Sequence, residues 1–181
     1  MRPIFTIHAG EFLVADFIER NYTKQHHLRV WVPSKDDGID LLITSKDCKK
    51  VVSVQVKFSK SFDCDREYDA SGWWKLNKAK IMSSPADFWV FVLPKSFGKR
   101  TYNDCLYFVI RPQELLKRMS RIHGVKMSSY NMYLTVKGKI AIESRELRKR
   151  DEDELFTCPK GWRDFSSFLN HWNDLIERVA Q

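Results

Sequence analysis

The sequence predicts an α/β (α+β) protein of one domain, residues 1–181, with a central mixed sheet flanked by helices. Three observations carry this expectation. A helical apolar repeat runs through residues 10–20, three short apolar segments with turn signals between them occupy 28–58, and the segments 88–93 and 105–110 are apolar at nearly every position, as strands covered on both faces are. At 181 residues and 43% apolar content, the chain can build one sizeable core but not two full domains.

In order along the chain, Leu13, Val14, Phe17 and Ile18 recur at helical spacing over residues 10–20, and Asn21 with the polar run to His27 is expected to end that helix. Leu28 to Val32 reads as a strand closed by Pro33, Gly38 to Ser45 as a second, and Val51 to Phe58 as a third, joined to the second by a turn over Lys46 to Lys50. In the third strand Val52, Val54, Val56 and Phe58 fall on one face, and Ser53, Gln55 and Lys57 on the other. Ser71 to Ser84 reads as a helix ended by Pro85, with Trp73 and Leu76 along one line and Lys75 and Lys78 along another. Two apolar strands follow, then a short helix from Pro112 to Arg121 and a hairpin from Met132 to Ile142 through Lys137-Gly138-Lys139. The mixed-sign run from Glu143 to Glu154 reads as a solvated segment, and Asp164 to Val179 as a closing amphipathic helix.

Lys and Arg outnumber Asp and Glu by 31 to 23, a net charge of +8 that favours polyanionic partners, nucleic acid first. Cys48, Cys64, Cys105 and Cys158 are far apart and have no His at zinc-ligand spacing, which argues against a structural zinc and for reduced thiols. No stretch of about 20 apolar residues occurs, so a membrane span is not expected and a cytoplasmic, nucleic-acid-associated setting is. His26, His27 and His171 have no partners at useful spacing and take ordinary surface or core roles.

Chemistry converges on three places. Glu11 lies in the first helix, Asp40 early in the second strand, and Gln55 and Lys57 form a Gln-x-Lys in the third. Fourteen residues separate Asp40 from Gln55, the length of one hairpin, so the two come side by side on neighbouring strands. These residue types suit phosphodiester hydrolysis, which needs a hard divalent cation held by oxygen; Mg²⁺ takes one or two carboxylates and keeps several waters. Asp40 supplies a carboxylate, Gln55 a neutral side-chain oxygen and Val56 a backbone carbonyl, with Glu11 reaching the ion directly or through water. Lys57, on the Gln55 face, can orient or help deprotonate the attacking water and balance charge developing on phosphate.

On G-E-F-L-V-A at 10–15, G-I-D-L-L-I at 38–43 and V-Q-V-K at 54–57, the chain resembles the PD-(D/E)xK nuclease superfamily, and within it the group of intron-associated homing endonucleases and related bacterial proteins. The resemblance covers residues 10–93, about half the chain; residues 101–181 are expected to complete the fold and to supply an oligomer or DNA interface. It implies a restriction-endonuclease-like core of helix, three antiparallel strands, helix and strand, with Mg²⁺, or Mn²⁺ in its place, at the open end of the strand pair. The activity it implies is that of a Mg²⁺-dependent endodeoxyribonuclease of restriction, homing or repair type. Two positions depart from the pattern: Ile39 stands where Pro is usual, and Gln55 where Glu or Asp is. The second removes a charge from the metal shell, and the alternative is a nuclease-fold protein that binds nucleic acid or a partner without cutting.

For DNA, Lys35 and Lys60, with Lys46, Lys49 and Lys50, are read as a rim tracking phosphates. Lys75, Lys78 and Lys80 are read as further phosphate contacts. Of Trp73 and Trp74, one is expected in the core and the other on the surface, where it can stack on an unpaired base or pack against the minor groove. Cutting both strands of a duplex needs two sites, so a homodimer or higher symmetric oligomer is expected.

Overall fold

The computed structural model of the chain describes residues 3–34, 37–59, 67–95 and 105–180. The first helix, α1 (Pro3–Ile18), runs on through a π-helical turn (Glu19–Thr23) and a short last turn, α2 (Lys24–His26), to His27, whose left-handed φ of 54° ends it. Asn21 therefore does not end the helix as expected. Its side-chain amide donates to the Phe17 carbonyl at 2.7 Å, satisfying an acceptor within the widened turn.

Among the described residues, eight strands form two sheets. A five-stranded sheet holds β1 (Arg29–Trp31), β2 (Leu41–Thr44), β3 (Val51–Phe58), β5 (Phe88–Pro94) and β6 (Cys105–Ile110) in that order; a three-stranded sheet holds β4 (Ala70–Asn77), β7 (Ser129–Lys137) and β8 (Ile140–Glu143). The first sheet is mixed, because β3 and β5 run parallel while its other neighbours are antiparallel. Asp87 fixes the start of the parallel pair: its Oδ2 accepts from the Ser53 N–H at 2.9 Å and the Ser53 hydroxyl at 2.8 Å, and Arg178 holds its Oδ1 at 3.1 Å.

The strand β5 separates two cores. Phe88, Val90 and Val92 join Val52, Val54 and Val56 beneath α1 and the last helix, α6 (Asn173–Ala180). Trp89, Phe91 and Leu93 face the other way, onto the second sheet, the short α3 (Lys78–Met82) and α4 (Pro112–His123). Burial on both faces is what the unbroken apolar run of β5 predicts. The central sheet is thus flanked by helices on one face, but on the other it is covered mainly by a sheet.

That second sheet corrects the expectation for residues 71–84. A helix was expected there; the segment is strand to Asn77, and only Lys78–Met82 is helical. Read at period two, Trp74 and Leu76 turn inward while Trp73, Lys75 and Asn77 turn outward. Gly72 marks where the sheets cross: a Cβ there would lie 2.5 Å from Leu93 Cδ1 and 2.7 Å from Ser59 Oγ, so any larger residue must displace these side chains.

Two more expectations change near the C-terminus. Residues 164–172 are not helical as a whole; 3₁₀ turns at Gly161–Arg163 and Ser166–Phe168 precede α6. The backbone here serves the sheets instead, through bridges Ile142–Asp164 and Phe108–Leu169, while Asn170 donates its N–H to the Tyr107 carbonyl at 2.6 Å and accepts from the Tyr107 N–H at 2.9 Å. In the run from Glu143 to Glu154, α5 (Lys149–Thr157) is exposed or half-buried as expected, but Glu143 is fully buried, held by Arg163 at 2.6 Å and by the Tyr133 N–H at 3.2 Å. A guanidinium supplied from the 3₁₀ turn compensates this carboxylate.

Among the described residues no helix is long and apolar enough to cross a membrane.

Candidate active site

Asp40 stands one residue before β2, and its N–H donates to the Val54 carbonyl at 2.8 Å, so it prolongs the β2–β3 ladder. Leu41 itself pairs with Val54, so Asp40 and Leu41 share one partner residue, as at a β-bulge, and Asp40 steps out of the regular register. Its carboxylate then turns back on β3: Oδ2 accepts the Val56 N–H at 2.6 Å. The residue between Gln55 and Lys57 thereby fixes the carboxylate through its own backbone. Because N–H and C=O of a strand residue point to the same edge, the Val56 carbonyl also projects toward the Asp40 side.

Gln55 and Lys57 are half-buried and open into a cleft of about 840 Å³ between the two sheets. Lys75, Asn77 and Lys80 form part of its far wall, with Ser84 and Pro85 near Trp89. The Lys57 ammonium lies 5.3 Å from the centroid of the Trp89 ring, an arrangement that steadies the cation without neutralising it. The Trp89 indole N–H donates to Ser84 Oγ at 2.8 Å, which fixes the ring.

Glu11 reaches this region from the other side of the sheet. The helix α1 packs on the Val52, Val54 and Val56 face, and Gly10 presses on β3 closely enough that a Cβ there would lie 2.9 Å from Phe58 Cβ. Half-buried Glu11 therefore follows the residue that packs against the end of β3 next to Lys57.

The sequence assigned DNA contacts with mixed results. Lys75 lines the cleft, but Lys78 does not; its ammonium donates to the Val125 carbonyl at 2.6 Å. Trp74 is 6% exposed and packs edge-on against Phe91, so it is core and not a DNA contact, whereas Trp73 is 40% exposed. Lys46, Lys49 and Lys50 belong to the turn at the far end of the β2–β3 hairpin, five or more residues along β3 from Gln55, and so do not rim the site. Lys35 and Lys60 lie outside the described residues. Lys80, expected as a phosphate contact, lines the cleft, as do Ser84 and Trp89, which no motif marks; the apolar-aromatic pattern of β5 and the Pro85 turn before it are the signals that place those two.

The candidate donors, the Asp40 carboxylate, the Gln55 amide oxygen and the Val56 carbonyl, are hard oxygen ligands that suit Mg²⁺ rather than zinc. Among the described residues no group of three or more His, Cys, Asp and Glu side chains is placed to hold a metal ion. A cation here would therefore depend on the neutral oxygens of Gln55 and Val56 and on water. No family model, curated protein or solved structure matches the chain.

Proposed function

We propose that the protein is a divalent-metal-dependent DNA endonuclease with a restriction-endonuclease-like core, its site built on Asp40, Gln55, Val56 and Lys57. The observation that carries this reading is the 2.6 Å hydrogen bond from the Val56 N–H to Asp40, which ties a carboxylate to the strand that presents Gln55 and Lys57 to a basic cleft. The order of three antiparallel strands followed by a parallel one supports the core assignment.

In this reading Asp40, the Gln55 amide oxygen and the Val56 carbonyl would hold the cation, with Glu11 reaching it directly or through water. A divalent cation bound there polarises the phosphate and makes its bound water more acidic. Lys57 positions the attacking water and offsets charge on the phosphate. Lys75 and Lys80 hold the nucleic-acid backbone in the cleft.

The test is plasmid nicking in Mg²⁺ or Mn²⁺ with the parent, Asp40→Ala and Lys57→Ala. The expected outcome is cutting by the parent and a loss of about 100-fold or more in both variants. Equal cutting by all three sinks the assignment. The neutral Gln55, where a carboxylate is usual, favours a second reading: a nuclease-fold module that binds nucleic acid without cutting, which the same assay reports as retained DNA binding with no nicks in any protein.

A further inference from the structure

The outer face of the second sheet carries a feature the cleft chemistry does not use. Trp73 on β4 pairs directly with Tyr133 on β7, and both side chains are solvent-facing, 40% and 37% exposed. Their rings are nearly parallel, 15° apart, with centroids separated by 6.1 Å. The Arg145 guanidinium lies 5.7 Å from the Tyr133 centroid, with its Nε donating to the exposed Glu146 carboxylate at 3.0 Å and its remaining N–H groups beside the pair. Exposed aromatics directly opposite each other on the solvent face of a sheet do not contribute to the core, and a cation beside them selects an anionic partner.

Position ties this pair to the cleft. Two residues further along β4, about 7 Å at strand rise, Lys75 enters the cleft wall, and Asn77 with its ladder partner Ser129 completes that wall. A chain leaving Gln55 and Lys57 over Lys75 thus arrives on Trp73 and Tyr133 without leaving a positively charged path. Aromatic faces beside basic groups bind unpaired bases, because every base has a π-face to stack; in an intact duplex those faces are hidden by neighbouring base pairs.

We infer that the Trp73–Tyr133 pair, with Arg145, stacks an unpaired base of the strand that enters the cleft, so that the substrate is single-stranded DNA or DNA bearing a single-stranded segment. The naming of a substrate rests on the nuclease reading; the binding itself does not.

The experiment measures fluorescence anisotropy of a labelled oligo(dT) 20-mer and of a labelled blunt hairpin duplex, in EDTA so that no cutting occurs. Parent, Trp73→Ala, Tyr133→Ala and Trp73→Phe are compared, each checked for an unchanged thermal melt. The parent is expected to prefer the single strand. Trp73→Ala and Tyr133→Ala are expected to lose about 5- to 150-fold on it while duplex affinity stays constant, and Trp73→Phe to retain most of it. Unchanged single-strand affinity in both alanine variants, equal losses on the two probes, or no single-strand binding by the parent overturns the inference. Plasmid nicking by the parent in Mg²⁺, run alongside, separates the two readings: binding that depends on Trp73 and Tyr133 without any nicks keeps this inference and overturns the nuclease reading.

Discussion

Replacing Asp40 by Asn keeps an oxygen within reach of the Val56 N–H but removes the charge, whereas Ala removes both. Asp40→Asn is therefore expected to stay within about 1 kcal/mol of the parent in urea denaturation, and Asp40→Ala to lose about 1–3 kcal/mol by stranding a backbone donor. If the Asn variant unfolds as readily as the Ala variant, the carboxylate is not held as described. At this scale the sequence was informative where geometry is periodic: alternation along β3 puts Gln55 and Lys57 on one face, and both line the cleft. It was silent about the tie to Val56, because a side chain bonding to the backbone of a neighbouring strand leaves no periodic trace. The Trp73-Trp74 doublet shows the same limit. Adjacent residues must part, one inward and one outward, but which one turns inward depends on the partner sheet.

Elements were legible when both their faces or their turns spoke for themselves. The bounds of β3 and β6 match the sequence expectation because apolar alternation and unbroken apolar runs leave little choice of period. The strand β4 was misread as a helix because its Trp and Lys spacings fit 3.6 as well as 2, and its ladder partner β7 lies more than 50 residues further along the chain. Gly72 held the missing clue, since glycine inside a helix is unfavourable and inside a strand marks a close crossing. Gly72→Ala is expected to cost about 1–3 kcal/mol by pushing a methyl against Leu93 and Ser59, read as a lower urea midpoint at unchanged slope. A neutral result would mean that the two sheets can separate here without penalty.

In the whole molecule, the half of the chain that carries the motifs is not a unit that the fold lets stand alone. Residues 10–93 include β4 and β5, whose partners β7 and β6 come later, so a fragment ending at residue 93 would leave β4 unpaired and expose the Trp89, Phe91 and Leu93 face. Such a fragment is expected to show no cooperative thermal transition by circular dichroism, while the full chain shows one; a cooperative melt of the fragment would make the first half an independent domain. The sequence hinted at none of this, because pairing between distant strands is set by which faces meet and not by local pattern. The crossover from β3 to β5 through a strand of the other sheet also bears on timing. At ribosomal rates of 5–20 residues per second, about 3 to 10 seconds pass between the synthesis of β4 and that of its partner β7. During that interval the cleft lacks the wall that Ser129 completes, so a newborn chain carries every residue of the Asp40, Gln55 and Lys57 cluster and still has no finished groove in which to use them.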